Sequence, residues 1–438
     1  MRCILPLILA VPVPSLAADI EVSGAKVQSY PVALAPAVST EAKLRSRGQD
    51  VLKRVDALLR LTGMIKVLDP ASFLAKVDEG LDPKKIQFEA WRSVGAKGLL
   101  KIAVRRAQKA VVIEYIVFDV TSAKPLANGS LQTREERLED VAGQVADAVL
   151  LGLTGEPGPF RSQLAFVRQA GRHKTVWISD PDGARARLVT PASGLHILPA
   201  WGPGGQSVYF TSYAARKPHL YRMPIRGGRW TAVSRRKGIN TGAKVSPVAV
   251  TIDGKTYPYL IALTLSKDGN AEIYLLSLKG DIVKRVTHHW GIDSSPTWSP
   301  DGKHLAFVSE RGGSPQIYIS RVDGSELRRV TWKGNYNQTP AWSPRGDLIA
   351  FVGRDERNVF DIFTVGSETG EVKRLTQAEG NNEEPTWAPN GRLIAFTSTR
   401  GKSGTQRVWV MREDGRHATL VSGVEGRAFT PRWSPFLP

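Results

Sequence analysis

The chain has 438 residues, of which 42% are hydrophobic and 23% are charged, and its formal net charge is +19. This length is enough for two or three domains with substantial cores. The charge is uneven, because residues 1–158 hold 21 Lys and Arg against 18 Asp and Glu, a net of +3, which leaves +16 for the remainder. Such a basic surface fits nucleic acid, anionic lipid or an acidic partner, and equally a plain solubility trait.

The start of the chain has the pattern of an export signal. An apolar run from Ile4 to Val13 follows a basic residue, and Ser15-Leu16-Ala17 supplies the small residues of a cleavage site. We predict a signal peptide over residues 1–18 and an exported chain that begins near Asp19. The apolar run is too short for a permanent membrane anchor, so no direct membrane insertion is expected. The single cysteine, Cys3, lies inside the signal, which excludes disulfide and thiol chemistry from the exported protein.

Residues 19–155 alternate predicted strands and helices, which indicates a small α/β domain. Strands are predicted over 30–36, 63–68, 99–104 and 111–120, and helices after Thr40, over 86–94 and after Thr133, with Leu138, Val141, Val145 and Val149 as the apolar stripe of the last helix. Thr133 and Glu136 have the spacing of a capping box at the start of that helix. Residues 152–159 contain three Gly and two Pro and are the predicted interdomain linker.

The C-terminal region, residues 160–438, repeats the motif Pro-x-Trp-x-Pro, followed by a small apolar strand. Its five copies are centred on Trp201, Trp298, Trp342, Trp387 and Trp433. The last three intervals are 44, 45 and 46 residues, and the 97 residues between Trp201 and Trp298 leave room for a degenerate copy at Val245-Ser246-Pro247. A repeat of this length built from short strands is typical of a β-propeller with one blade per repeat.

Two halves of each repeat can be counted separately. A strand of the Leu-Ala-Phe type and an alternating strand after it each occur six times, which predicts six blades. The first Leu-Ala-Phe, at Leu164, has no Pro-x-Trp-x-Pro before it, and the last motif, at Trp433, has no such strand after it. We therefore expect strands from both ends of the region to complete one blade. The predicted fold class is α+β multidomain, a small N-terminal α/β domain followed by a six-bladed all-β propeller.

The segments just before each Pro-x-Trp are the predicted binding loops, because loops held by a rigid frame commonly carry function. They are residues 195–198, 242–246, 291–295, 335–339, 380–384 and 426–430, and we expect them around one mouth of the central channel. The candidate residues there are Asp293, Ser294, Asn335, Asn337, Gln338, Asn382, Glu383 and Thr430. A plain solvated rim is an equal alternative for any single residue, while the repeated tryptophans are expected to pack between blades.

Signatures of enzymes are missing from the sequence. It has no Gly-x-Ser-x-Gly elbow, no P-loop, no dinucleotide-binding glycines and no His-Glu-x-x-His. The seven histidines are scattered, and Asp180-Pro-Asp182-Gly183 lacks the closing glutamate of a calcium loop, where Pro191 stands. We expect no catalytic residues, no metal and no cofactor.

The arrangement of the whole chain resembles the TolB family, the periplasmic propellers of the Tol–Pal system. The resemblance runs from about Asp19 to the end and is most specific across the domain junction and at the C-terminus. These stretches are Leu153-Thr-Gly155, Gly158-Pro-Phe160-Arg161-Ser162, Leu164-Ala-Phe-Val167 and Trp433-Ser434-Pro435-Phe436-Leu437, with Ala90-Trp91 and Val330-Thr-Trp332 in support.

The resemblance implies a non-enzymatic periplasmic adaptor that is expected to be a monomer. Members of the family bind the lipoprotein Pal at the propeller mouth and TolA through the segment after the signal peptide, and they support outer-membrane constriction during division. Carried onto this chain, the eight mouth candidates face Pal, with Ser294, Asn337 and Glu383 foremost. The segment with Asp19, Ile20, Glu21 and Val22 faces TolA, as a switch that is either docked or released.

Two other classes stay open. An exported propeller enzyme would need a convergent cluster of His, Asp or Glu in the channel. A binder of anionic envelope polymers would use the basic charge and would show a steep dependence on salt. Nucleic acid is not expected as a partner, because an exported chain does not meet it.

Overall fold

A computed structural model describes residues 29–74, 79–354, 357–401 and 403–437. These residues form an α/β unit followed by a six-bladed β-propeller, so the predicted fold class is confirmed. The predicted signal peptide and the predicted TolA-facing residues Asp19, Ile20, Glu21 and Val22 lie outside the described part of the chain.

The N-terminal unit is built on one five-stranded sheet with the strand order β2-β1-β3-β4-β5. Its elements are β1 (Tyr30–Leu34), α1 (Ala42–Arg60), β2 (Ile65–Val67), α2 (Phe88–Ser93), β3 (Gly98–Ala107), β4 (Ala110–Asp119), β5 (Lys124–Thr133) and α3 (Ala142–Thr154), with short 3-10 helices at Pro70–Ser72, Pro83–Lys85 and Glu135–Val141. Strand β1 pairs parallel with β2 and β3, whereas β4 pairs antiparallel with both β3 and β5.

Helices α1 and α3 cover one face of this sheet. The apolar residues of α1 recur at three- and four-residue spacing, so one stripe of the helix is buried. Gly48 lies on that stripe, and a Cβ there would stand 2.7 Å from the Cβ of Ala37 and 2.9 Å from a methyl of Val104. Glycine therefore lets α1 approach the sheet closely.

Two details of this unit differ from the sequence prediction. Strand β5 was not predicted, since Lys124–Thr133 is largely polar and its side chains are mostly exposed or half-buried. The predicted capping box is wrong, because Thr133 ends β5, and the following 3-10 helix is preceded by Arg134 without a side-chain cap. The predicted apolar stripe is confirmed, with Leu138, Val141, Val145 and Val149 all buried.

The propeller is formed by six four-stranded sheets. Its strands are β6 (Leu164–Ala170), β7 (His173–Ser179), β8 (Arg187–Leu188), β9 (His196–Trp201), β10 (Ser207–Ser212), β11 (His219–Pro224), β12 (Thr231–Ser234), β13 (Asn240–Val245), β14 (Val250–Ile252), β15 (Lys255–Tyr257), β16 (Leu260–Leu265), β17 (Glu272–Ser277), β18 (Ile282–Arg285), β19 (Asp293–Trp298), β20 (His304–Ser309), β21 (Gln316–Arg321), β22 (Arg328–Arg329), β23 (Asn337–Trp342), β24 (Leu348–Arg354), β25 (Phe360–Gly366), β26 (Val372–Arg374), β27 (Asn382–Trp387), β28 (Leu393–Ser398), β29 (Arg407–Arg412), β30 (Thr419–Leu420) and β31 (Arg427–Trp433).

The degenerate repeat is a complete blade with an insertion. Strand β13 ends at Val245, which occupies the place of the blade tryptophan, and the sheet continues through β16, β17 and β18. The hairpin of β14 and β15 is inserted between the first two strands. This blade accounts for the 97 residues between Trp201 and Trp298, because Val245 lies 44 residues after Trp201 and 53 before Trp298, and the hairpin lengthens the second interval.

The closing blade combines both ends of the propeller region, as predicted. The C-terminal strand β31 pairs antiparallel with β6, and β7 and β8 complete the sheet in the order β31-β6-β7-β8. Closure continues outside the ladder, where Ser434 Oγ accepts the Gln163 N–H at 2.9 Å and the Trp433 indole donates to Ser162 Oγ at 2.5 Å. The closing blade consequently has four strands, like the other five.

The N-terminal unit contacts the propeller at the end where the inner strands finish. Arg54 of α1, which is 14% exposed, lies 2.5 Å from Asp180, and the His417 ring is 2.9 Å from the Arg60 carbonyl. The predicted linker is part of this contact. Glu156 forms an ion pair with Arg392, and the Pro157 carbonyl accepts a hydrogen bond from Asn390 in the same turn as Arg392.

The α3 carboxylate of Asp147 lies at the entry to the propeller. Its Oδ1 accepts the Phe160 N–H at 2.9 Å, and Arg161 lies 3.4 Å from its Oδ2. Burial raises the pKa of Asp147 to about 6, against the lowering effect of these two partners. The folded state therefore holds a proton on Asp147 at pH values where the unfolded chain does not.

We predict that Asp147→Asn changes how stability depends on pH. Because the folded pKa is raised, the stabilisation by the protonated carboxyl is present below the unfolded pKa near 3.8 and is lost as pH rises to about 6. The full effect corresponds to about 3 kcal/mol of unfolding free energy. Denaturant titrations at pH 4, 5, 6 and 7 should show the D147N variant gaining stability over the parent as pH rises. Asp50→Asn on the exposed side of α1 is the control, and a D147N difference that is independent of pH contradicts the prediction.

Candidate functional site

The central channel is surrounded by the first strand of each blade. These inner strands are β9, β13, β19, β23, β27 and β31, and consecutive ones contact each other around the ring. All begin at one end of the channel and finish at the other, where the blade tryptophans stand. We call the first end the channel mouth and the second the Trp end. The N-terminal unit lies on the side of the Trp end, so the channel mouth faces away from it.

Every inner strand carries the same backbone irregularity. The pairing with the second strand shifts register three residues before the tryptophan position, as in a β-bulge. The residue at this point has a positive φ in all six blades: Leu198, Gly242, Ser295, Thr339, Glu384 and Thr430, with φ between +49° and +69°. For five residues other than glycine this conformation is costly, so the surrounding frame must impose it.

At several blade junctions, the first residue of the inner strand at the mouth belongs to a buried network. In one blade junction, Asp361 accepts hydrogen bonds from Thr376 Oγ1 at 2.6 Å and from Asn382 Nδ2 at 2.9 Å. In the preceding junction, Gln316 accepts from Thr331 Oγ1 at 2.7 Å and from Asn337 Nδ2 at 2.9 Å. The partners follow at the same spacings of 15 and 21 residues in both cases, so the network repeats with the blades.

A third junction has two acids in this network. Glu272 and Asp293 are both fully buried, and they hold the places of Asp361 and Asn382. Arg311 lies 2.8 Å from Asp293, and Arg285 lies 3.2 Å from Glu272. Burial raises the pKa of Asp293, and the charge of Glu272 acts in the same direction.

Four residues of the predicted site are buried at these junctions or at the bulge of β31. Asp293, Asn337 and Asn382 are at most 4% exposed and bind neighbouring strands, and Thr430 is 2% exposed at the bulge of β31. Asn337 and Asn382 donate to Gln316 and Asp361 of the preceding blade, so their side chains are directed into the blade junctions. The segments before Pro-x-Trp are also mostly strand residues and not loops, because the inner strands begin at positions such as Asp293 and Asn337.

The next residue of each inner strand is half-buried in every blade. This position holds Ile197, Thr241, Ser294, Gln338, Glu383 and Phe429. Three predicted residues, Ser294, Gln338 and Glu383, are thus brought together in one ring just inside the mouth, and the fourth accessible candidate, Asn335, is exposed on the rim. Burial and then the charge of Glu384 raise the pKa of Glu383.

The sequence prediction missed an apolar part of the rim. Trp290 is 79% exposed and Trp332 is 71% exposed, and they lie in the connections that lead into β19 and β23 of adjacent blades. Each ring has one neighbour that fixes its orientation: His289 at 5.0 Å from Trp290 and the Arg329 guanidinium at 4.6 Å over Trp332. Ile292 and Ile239, just before their inner strands, are also exposed. The sequence did hold a signal for these exposed residues, because neither tryptophan belongs to a Pro-x-Trp motif.

Within the described residues, no group of three or more His, Cys, Asp or Glu side chains is placed to hold a metal ion. In the same part of the chain, no helix has the length and apolar character needed to cross a membrane. The accessible chemistry of the mouth is therefore an aromatic rim around a polar ring, which suits the binding of a protein surface.

The fold defines a class of protein, a propeller that carries a small α/β unit on one face, and comparisons with known proteins define the family. The family model of the TolB amino-terminal domain matches residues 18–126, and that of the TolB beta propeller domain matches residues 151–437. The Tol-Pal system protein TolB of Anaeromyxobacter dehalogenans is 37% identical over 429 residues, which are 97% of this chain and 96% of that protein. A TolB of another Anaeromyxobacter is 38% identical over 88% of this chain and 86% of its own.

Among solved structures, TolB from Acinetobacter baumannii superposes with a TM-score of 0.78 and 26% identity, over 93% of this chain and 97% of that one. The chain belongs to the TolB family of Tol–Pal system components.

We predict that Asn382→Ala destabilises the propeller. The variant removes a hydrogen bond to the buried Asp361 carboxylate and the acceptor of Ser398 and Arg400, which leaves buried polar groups without partners. The expected loss is roughly 2 kcal/mol or more of unfolding free energy. The control is Gln338→Ala, one position into a neighbouring inner strand but half-buried, with an expected change below about 0.5 kcal/mol. Denaturant unfolding followed by tryptophan fluorescence measures both, and equal losses would contradict the assignment.

Proposed function

We propose that this protein is the periplasmic adaptor of its Tol–Pal system and that it binds the lipoprotein Pal at the channel mouth. The observation that carries the proposal is the pair Trp290 and Trp332, which are 79% and 71% exposed on adjacent blades beside the half-buried polar ring. Large aromatic side chains supply much of the binding energy in protein interfaces. Family membership supports the choice of partner, because relatives that match almost the whole chain are Tol-Pal system proteins.

The polar ring would give this interface its specificity. Ser294, Gln338 and Glu383 occupy one equivalent position in three consecutive blades, so a group entering the mouth can meet all three. Asn335 on the rim is the fourth proposed contact. The buried Asp293, Asn337, Asn382 and Thr430 act indirectly in this proposal, because they fix the inner strands that carry the ring.

The strong basic charge favours association with an acidic partner surface. At physiological salt, the screening length is about 8 Å, so the excess charge would raise the association rate more than the final affinity. Anionic envelope polymers use the same charge, which makes salt dependence a useful readout.

The proposal includes a second partner. TolA would bind the segment with Asp19, Ile20, Glu21 and Val22, and this segment would alternate between a docked state and a released state. The protein would then act without catalysis in the periplasm, supporting outer-membrane integrity and constriction during division.

The first experiment is calorimetric titration of the protein with the periplasmic domain of Pal from the same organism. We expect saturable one-to-one binding, and Trp290→Ala and Trp332→Ala should each weaken it about tenfold or more, equivalent to about 1.4 kcal/mol. Leu327→Ala is the matched control, since Leu327 is a 41% exposed apolar residue on the opposite face. Glu383→Gln and Ser294→Ala locate the polar ring.

The result decides between partners. Loss of Pal binding in the tryptophan variants with normal binding in the Leu327 variant supports the proposed mouth. No heat with Pal at tens of micromolar protein, together with binding to anionic polymer that falls steeply with added salt, would replace Pal as the partner.

The TolA contact has a separate prediction. A chain that starts at Ala25 should lose binding to TolA and keep its affinity for Pal within about threefold, because the channel mouth lies on the far side from the N-terminal unit. Surface-coupled TolA and Pal measure the two interactions in parallel. Unchanged TolA binding by the shortened chain would reject this segment as the TolA site.

A further inference from the structure

The residue between Pro and Trp in each repeat forms a second ring, deep in the channel. At this position the six blades hold Arg432, Ala200, Lys244, Thr297, Ala341 and Thr386, in their order around the ring. Four members are small. Arg432 and Lys244 are therefore the exceptions in a repeat that otherwise places alanine or threonine here.

These six residues line one cavity at the Trp end. The cavity has a volume of about 410 Å³, and its wall continues with the blade tryptophans and the prolines that follow them. The exposed Phe436 and the half-buried Tyr259 stand at its edge. A cavity of this size with an apolar wall and few polar groups is typical of a small-molecule site.

The two cations lie on the same side of the ring. The inner strand β9 is the neighbour of both β31 and β13, so Ala200 alone separates Arg432 from Lys244 around the ring. Their backbones are fixed, since the Trp201 indole donates to the Arg432 carbonyl at 2.8 Å and the Trp298 indole donates to the Lys244 carbonyl at 2.9 Å. In both cases, the tryptophan indole of one blade thus binds the backbone carbonyl of the cationic residue in the preceding blade.

Neither cation has an acidic partner at ion-pair distance within the described residues. Arg432 Nη1 donates to the neighbouring Pro431 carbonyl at 2.7 Å, and no hydrogen bond holds the Lys244 ammonium among the same residues. Burial lowers the pKa of both groups, the charge of Arg432 lowers that of Lys244 further, and Glu384 acts in the opposite direction on both. Arg432 carries the positive charge of the cavity, and an anion bound beside Lys244 would favour the protonated form of that lysine.

We propose that the Trp-end cavity is an anion-binding site, in which Lys244 and Arg432 together hold the carboxylate or phosphate of a small organic anion against the tryptophan and proline wall. The small neighbour Ala200 leaves room for the anion between the two cations. This site is separate from the channel mouth, and it does not depend on the proposed binding of Pal.

The test uses the tryptophans that line the cavity as reporters. Purified protein is titrated with benzoate, phenyl phosphate and inorganic phosphate, with benzyl alcohol as the neutral analogue, at constant ionic strength. We expect saturable fluorescence changes with benzoate or phenyl phosphate and none with benzyl alcohol. A response to phenyl phosphate and inorganic phosphate alone would assign the site to phosphates, and a response to benzoate would assign it to carboxylates.

Substitutions then locate the site. Lys244→Met and Arg432→Met keep the length of the side chains and remove the charge, and each should weaken anion binding at least tenfold. Lys244→Arg should retain it. Lys333→Met is the control, because Lys333 is an exposed lysine near the channel mouth. Variants that bind benzoate and phenyl phosphate as tightly as the parent would overturn the proposal, as would the absence of saturation by every anion.

A further variant tests the site even if the Lys244 and Arg432 variants fail to fold. Ala200→Glu places a carboxylate of the protein between Lys244 and Arg432, so it should abolish anion binding while raising the melting temperature. Unaltered anion binding by a folded A200E variant would show that the anion lies elsewhere.

Discussion

The pairing of β31 with β6 is the contact on which the rest of the structure depends. It joins residues 258 to 269 positions apart, and without it β6 would be the unpaired inner edge of a three-stranded sheet. The same closure fixes the junction with the N-terminal unit, because the Leu437 N–H donates to the Arg161 carbonyl at 2.7 Å, two residues after Pro159. The C-terminal residues therefore close the propeller and also fix the junction between the propeller and the N-terminal unit.

Closure gives the channel two chemically different ends. The mouth side has the half-buried Glu383 and the exposed Trp290 and Trp332, whereas the Trp end has Lys244 and Arg432 inside a ring of tryptophan and proline. Because the N-terminal unit contacts only the Trp side, a partner at the mouth would leave that unit free to meet another. The repeated positive-φ bulge separates the two ends and keeps the inner strands at the same height in every blade.

The polar residues of the mouth show what a sequence repeat can predict and what it cannot. The Pro-x-Trp frame correctly placed Asp293, Asn337 and Asn382 at one end of the channel, but it could not say which way their side chains point. A β-bulge two residues later changes the alternation, and the side chains of Asn337 and Asn382 each donate to an acceptor 21 residues earlier in the chain. The exposed Trp290 was missed because it stands outside the Pro-x-Trp frame, so the repeat pattern assigned it no position.

The sequence by itself determined the class of fold, the number of blades and the closing blade, since these follow from motif spacing and from the phase of the repeat at its two ends. It also determined the apolar stripes of α1 and α3 through helical periodicity. Only the tertiary structure decided which polar residues are buried, that β5 completes the first sheet, and that Lys244 and Arg432 share one cavity. These facts depend on contacts between blades and between domains, and local patterns carry no information about which distant groups will meet.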